Sequence, residues 1–178
     1  MTNTAYISAG SNLGDRIENI QRGAGALTRS GDVDIRARAG YYSTAPMDYA
    51  DQPWFVNTAF AITTRLSPDM LLLHLKKAEQ VMGRKTGGIR FGPRILDFDI
   101  IFYNDLIIDT RKLVIPHPRM HRRGFVLHPL SDICPDFVHP VLGMTVNTLL
   151  SGLDESSGEC VPLDENEVIT KTAYCGCL

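Results

Sequence analysis

Residues 95–103, ILDFDIIFY, constrain this chain more than any other stretch. Apart from the two aspartates, the run is β-branched, aliphatic or aromatic, which reads as a strand. Side chains alternate faces along a strand, so Leu96, Phe98, Ile100 and Phe102 are expected on one face, against a core. Asp97 and Asp99 share the other face, their Cα atoms about 6.6 Å apart. Carboxylates that close repel unless something positive lies between them. Hard divalent cations such as Mg²⁺ are bound by carboxylate oxygens together with substrate phosphates. Residues 83–94, GRKTGGIRFGPR, add Arg84, Lys85, Arg90 and Arg94, groups that grip phosphate oxygens. Gly87, Gly88, Gly92 and Pro93 put those cations on a loop. One reading is phosphate chemistry at a metal site. The other is a solvated sheet face whose aspartates pair with Arg90 and Arg94. The residues of this stretch leave both open.

The 178 residues suffice for one domain with a proper core. A formal net charge of −2 gives no global basic field for nucleic acid, so any anion site must be local. The opening MTNTAYISAGS lacks the basic and apolar regions of a signal peptide, and no apolar run approaches membrane-spanning length. Of Cys134, Cys160, Cys175 and Cys177, three crowd the C-terminal end, so they make no disulfide framework for the core. These features predict a cytoplasmic, reduced protein.

Taken in order, Thr4–Ala9 is a first strand, and Leu13, Ile17, Ile20, Ala24 and Leu27 recur at helical spacing. Val33, Ile35, Ala37 and Ala39 alternate as a second strand. A long loop, Ala45–Pro53, with Tyr49 inside it and Trp54 just beyond, reads as functional. Phe55–Thr64 is a third strand. Ser67-Pro68-Asp69 starts a helix carrying Leu71, Leu72, Leu75, Ala78 and Met82 and stopping at Gly83. After the strand with the aspartates, Leu106–Ile108 reads as its short hairpin partner. The order β-α-β-β-α-β predicts an α+β fold, a ferredoxin-like βαββαβ sandwich with two helices on one face and the other free for a site. An additional hairpin and short helices follow, at Met120–Leu130 and at Met144–Leu150 with Thr145 as cap. His117, Arg119, His121, Arg122 and Arg123 form a second cationic cluster, which a solvated helix face would also explain. Residues 1–150 read as the folded domain and 151–178 as a loosely held polar tail.

Several blocks together resemble one family, 6-hydroxymethyl-7,8-dihydropterin pyrophosphokinase. They are AGSNLGDR from Ala9, YYSTAPM from Tyr41, DQPWFVNTA from Asp51, RFGPRILDFDI from Arg90, IPHPRMHRRGFVLHPL from Ile115 and CPDFVHP from Cys134. They stand in family order and spacing and cover about residues 4–150. The resemblance implies ATP as co-substrate, with AMP and the pterin diphosphate as products, two Mg²⁺ ions on Asp97 and Asp99, and the same ferredoxin-like fold. It implies a pterin pocket of Thr44, Ala45, Met47, Phe55, Asn57 and Phe125. It implies an ATP site of Leu72, Glu79, Arg84, Arg94, Ile100, Lys112, Leu113, His117 and Arg123, with Arg84, Arg90 and Arg94 among the catalytic groups. Arg90 and Phe91 would lie on a loop that closes over the substrates. The expected partners are the two small molecules, with no nucleic acid and no membrane, and a monomer is expected. The chain departs from the pattern at Thr86, where many members carry a second basic residue, and at Phe91, where many carry tryptophan. Two other classes share these features: a two-metal phosphoesterase, which would not need the paired aromatics, and a ferredoxin-like RNA-binding module. The second is disfavoured by two acids on a central strand.

Overall fold

The computed structural model describes residues 2–47, 51–83 and 92–164. Tyr49, Arg84, Lys85, Thr86, Arg90, Phe91, Cys175 and Cys177 lie outside the described residues.

The described chain is a mixed α/β fold with an antiparallel sheet and four helices. Strands β1 (Asn3–Ser11), β2 (Val33–Arg38), β3 (Tyr42–Thr44), β4 (Phe55–Thr64), β5 (Asp97–Tyr103) and β8 (Cys160–Pro162) form one six-stranded sheet. Its order is β5-β1-β4-β3-β8, with β2 also pairing β4. β2 and β3 lie end to end along the same edge of β4, at Phe60–Thr64 and Phe55–Asn57 respectively. Helices α1 (Arg16–Thr28) and α2 (Pro68–Val81) start at side-chain caps. Asp15 accepts from the Glu18 N–H, and Ser67, just before Pro68, accepts from the Met70 N–H. Leu13, expected on the first helix, precedes it and is exposed. Ile17, Ile20, Ala24 and Leu27 of α1 and Leu71, Leu75 and Ala78 of α2 pack on Ala5, Ile7, Ala9, Val56, Phe60, Phe98 and Ile100.

Four expectations need correcting. Phe102 does not share a face with Phe98 and Ile100. The β1–β5 register shifts between Tyr6 and Ile7, which pair with Phe102 and Ile100 and leave Ile101 extra. A bulge of this kind sends Ile101 and Phe102 both to the far face, while Tyr103 returns to the α1/α2 side. Nor is that far face free. Helices α3 (Gly124–Ile133) and α4 (Val146–Ser151) cover part of it, burying Ile101, Phe102, Ala59, Val126, Leu127, Leu130, Val146 and Leu149. The expected helix from Met120 opens as a 3₁₀ turn, Met120–Arg122, and becomes α-helical only at Gly124. Finally, the hairpin after β5 pairs β6 (Ile108–Asp109) with β7 (Val114–Ile115) in its own two-stranded sheet, not with β5. Residues from 151 onward include a 3₁₀ turn at Glu155–Ser157 and the edge strand β8. Among the described residues no helix is long and apolar enough to cross a membrane.

Candidate active site

The part of the far face that α3 and α4 leave open holds a cavity of about 250 Å³. Register explains what meets there. Asp97 on β5 pairs with Gly10 on β1, Gly10 pairs with Asn57 on β4, and Asn57 pairs with Tyr42 on β3. Strands lie about 4.8 Å apart, so the Asp97 and Asn57 backbones, two strands apart, are separated by roughly 10 Å. One row of the sheet thus has a carboxylate at one end and an amide at the other. Asp99, Ser8 and Ala59 make the next row.

On the amide side, Phe55 and Asn57 face the cavity from β4. Asn57 is buried, and its Nδ2 donates to Thr44 Oγ1 at 2.6 Å. Its Oδ1 lies against Gly10, where a Cβ would come within 2.5 Å of it. Thr44, Ala45, Pro46 and Met47 form the rim, and Phe125 enters from the first turn of α3. All six residues expected for the pterin pocket line this one cavity.

On the carboxylate side, Asp97 and Asp99 line the cavity with Arg94, His117, Arg119 and Arg123. Arg94 forms an ion pair with Asp97. Burial pushes the His117 imidazole below its ordinary value. Asp99 opposes that shift, and Arg123 and Arg119 reinforce it. The His117 Nδ1 accepts the Arg119 backbone N–H at 3.3 Å, so the neutral ring carries its proton on Nε2. Arg123 is buried, with its guanidinium 5.2 Å from the centre of the Phe125 ring. Arg123 thereby links the cationic wall to the aromatic recess. Asn12, 2% exposed, ties the two sides together. Its Nδ2 donates to Gln52 Oε1 at 3.0 Å and Pro53 O at 3.1 Å, and its Oδ1 accepts the Arg94 N–H at 2.7 Å.

The remaining expected ATP residues lie elsewhere. Leu72, Glu79, Ile100, Lys112 and Leu113 do not line the cavity. Ile100 and Leu113 belong to the core under α1 and α2, and Leu72 packs against it. Lys112 is exposed between β6 and β7. Glu79 is fully buried. Its Oε1 accepts from the Phe98 N–H and from Lys76 Nζ, each at 2.8 Å, and Lys76 also donates to Phe98 O at 3.2 Å. Arg84 and Arg90 lie outside the described residues, and Trp54 is exposed and not in the cavity wall. Gly10, Ser8, Asn12, Gln52 and Arg119 were not assigned from sequence. Ser8, Gly10 and Asn12 come from the end of β1 and the residue after it, and only the strand register shows what they face.

Two carboxylates beside three arginines and an imidazole are groups able to meet phosphate oxygens and their counter-ions, and the adjoining recess sets aromatic rings beside polar atoms. The sequence profile of the 7,8-dihydro-6-hydroxymethylpterin-pyrophosphokinase family matches residues 6–135, and the chain belongs to that family. The Bacillus subtilis 2-amino-4-hydroxy-6-hydroxymethyldihydropteridine pyrophosphokinase is 42% identical over 134 residues, 75% of this chain and 80% of the relative. The Dictyostelium discoideum folic acid synthesis protein FOL1 is 44% identical over 147 residues, 83% of this chain and 22% of the relative. The chain spans only about a fifth to a quarter of the folic acid synthesis proteins it matches. The solved wild-type HPPK-DHPS of Plasmodium falciparum has a TM-score of 0.66 at 18% identity. That match covers 85% of this chain and 44% of the other, a likeness that speaks for the fold alone.

Proposed function

We propose that the protein transfers the pyrophosphoryl group of ATP to the hydroxymethyl group of 6-hydroxymethyl-7,8-dihydropterin, releasing AMP, as a step of folate synthesis. The observation that carries this reading is the one cavity in which Asn57 and Asp97 lie at opposite ends of a row of the sheet, with Asp99 in the row beside it. A pterin with a phosphate acceptor on its short arm fits that span. Phe55 and Phe125 cover the faces of the bicycle, and the Asn57 amide and the backbone at Thr44 and Ala45 meet its polar edge. The hydroxymethyl oxygen attacks the β-phosphorus of ATP in line, the bond to the α-phosphate oxygen breaks, and AMP leaves. Arg94, Arg123 and the Nε2–H of neutral His117 bind phosphate oxygens, with Arg84 and Arg90 assigned to the same task. Arg119, which shares the wall, is added to them. These groups work by positioning and by offsetting charge that develops on the phosphates. Leu72, Ile100, Lys112 and Leu113 are assigned to the nucleoside end. Ile100 follows Asp99 directly, and Lys112 and Leu113 precede the strand that leads to His117.

The donor set fits Mg²⁺. Asp97 and Asp99 offer hard oxygens on one face of β5, both lining the cavity. Two ions bound there would neutralise the triphosphate and orient its β-phosphorus. The sheet order β5-β1-β4, with β2 and β3 end to end on the other edge of β4, and the placement of α1 and α2 between strands support the ferredoxin-like plan. We assign a monomer in the cytoplasm. The test is to incubate the protein with ATP, Mg²⁺ and the reduced hydroxymethylpterin and identify the nucleotide product. AMP appearing one-for-one with pterin diphosphate is expected. ADP, or inorganic phosphate without pterin consumption, would overturn the reading.

A further inference from the structure

We propose that residues 157–163, beyond the stretch matched by the family profile, form a positioning strap that sets how tightly the pterin side of the site holds its substrate. The proposal rests on the function assigned above. The strand β3 is three residues long and is followed at once by Ala45, Pro46 and Met47 of the cavity rim. A strand that short, paired on one edge only, is marginal. Its outer edge is taken by β8, with Ser43 opposite Val161 and Thr44 opposite Cys160. The pairing runs past both ends. Ala45 N–H donates to Glu159 O at 3.0 Å, and Leu163 N–H donates to Tyr41 O at 2.8 Å. Tyr42, whose hydroxyl bonds Asp132 of α3 at 3.0 Å, anchors the start of β3 independently. The end that carries Thr44 to Met47 depends on the strap.

The strap also touches the opposite rim. Gly158 has φ +87°, a conformation that L side chains rarely adopt, and a Cβ there would meet Met47 Cγ at 3.2 Å. A Cβ on Gly124, between Arg123 and Phe125, would meet the Ser157 and Gly158 carbonyl oxygens at 3.3 Å. One turn of chain therefore lies against Met47 on one wall and against the residue between Arg123 and Phe125 on the other. No strap residue lines the cavity, so its effect on substrate passes through these neighbours.

The test is Gly158→Ala in the full chain. A methyl group at that φ strains the turn and presses on Met47, so either β8 detaches or the rim shifts. The KM for the hydroxymethyldihydropterin is expected to rise about tenfold, with the KM for ATP and the kcat nearly unchanged. Amide exchange at Ala45 should accelerate. Val161→Pro, which takes the backbone N–H out of the strap residue opposite Ser43, should act in the same direction and carries the test if Gly158→Ala does not fold. Glu159→Ala, whose side chain is exposed, should behave as wild type. An unchanged pterin KM in a folded variant, or equal rises for pterin and ATP, overturns the strap while the assigned activity stands. Wild-type protein that does not bind the pterin at all overturns both.

Discussion

Gly10→Ala probes the pterin end without replacing any residue whose side chain is assigned to the substrate. Gly10 sits between Asp97 and Asn57 in the central row of the sheet. Its missing side chain is the space occupied by the Asn57 amide. An added Cβ would lie 2.5 Å from Asn57 Oδ1, 3.5 Å from Asn57 Cγ and 3.8 Å from Phe55 Cδ1. The first distance is too short to tolerate, so the amide must move. It is held by the 2.6 Å bond to Thr44 Oγ1, and moving it breaks that bond or turns the amide away from the pterin edge. A buried polar group left without its partner costs about 1–3 kcal/mol, or roughly 5- to 150-fold in Kd. The loss should fall on the pterin, because the phosphate groups at the Asp97 end are backed by a different strand. Calorimetric titration of each ligand separately measures the split, and circular dichroism checks that the sheet is intact. A pterin Kd unchanged in a folded variant, or an equal loss for ATP, would refute this use of the Asn57 amide.

Asp97→Ala and Asp99→Ala should each abolish turnover while the unfolding midpoint shifts little, since both carboxylates face the cavity and not the core; activity near wild type in either would count against the metal assignment. Asn12→Ala removes three hydrogen bonds that join Gln52 and Pro53 to Arg94. It should lower stability by about 2–3 kcal/mol in denaturant unfolding and raise the KM of both substrates. His117 should titrate below 6.5 in the free protein, because burial disfavours its charged form. The unfolded chain then takes up that proton first, so stability is lost as pH falls from 6.5 toward the lowered folded value, with His121 and His139 acting in the same direction. Nucleotide phosphates beside His117 should raise its midpoint in an NMR titration, and no change on adding ATP would remove it from the phosphate site. Glu79→Gln keeps an acceptor for the Phe98 N–H but loses the charge facing Lys76. It should cost about 1.5–3 kcal/mol in unfolding free energy.

The parts of the fold legible in the sequence are those decided within a few residues. Phe55–Thr64 is a strand at the bounds its β-branched and aromatic run suggests, and Ser67-Pro68 starts α2 where a cap and an N1 proline should. Strand geometry alone puts Phe55 and Asn57, two apart, on one face, but only the family resemblance marked them, with Thr44, Ala45, Met47 and Phe125, as an expected pocket. What was not legible depends on pairing between distant segments. The bulge at Ile101 reverses Phe102, but ILDFDIIFY carries no mark of it; only the match to Tyr6 and Ile7 on β1 creates the extra residue. Residues 160–162 look like part of a polar tail because an edge strand needs no apolar face, and its backbone bonds to β3 leave no compositional trace. The roles of Gly10 and Gly158 rest on what a Cβ would strike, which sequence spacing does not reveal.

Placing both carboxylates on an edge strand looks like a weakness, since among the described strands β5 pairs only with β1. An edge strand offers a row of open backbone groups and is free to fray or to recruit another strand. Here the open edge is closed from the side by α2. Phe98, the residue between the two aspartates, gives its N–H to Glu79 and receives Lys76 at its carbonyl. Burying a carboxylate is costly unless it is paired and hydrogen-bonded, and Glu79 meets both conditions through Lys76 and the Phe98 amide. Such side-chain bonds take the place of a second neighbouring strand without covering the cavity face. A real strand there would extend the sheet and crowd the side from which the substrate phosphates are proposed to approach. Fastening β5 from α2 leaves the Asp97 and Asp99 side chains open to the cavity while their backbone is held on both edges. The ion pair of Arg94 with Asp97 and the tie from Asn12 to the Arg94 N–H then steady the segment where β5 begins. The resulting geometry is stiff in the backbone and open in the side chains, which is what positioning two carboxylates against a triphosphate requires.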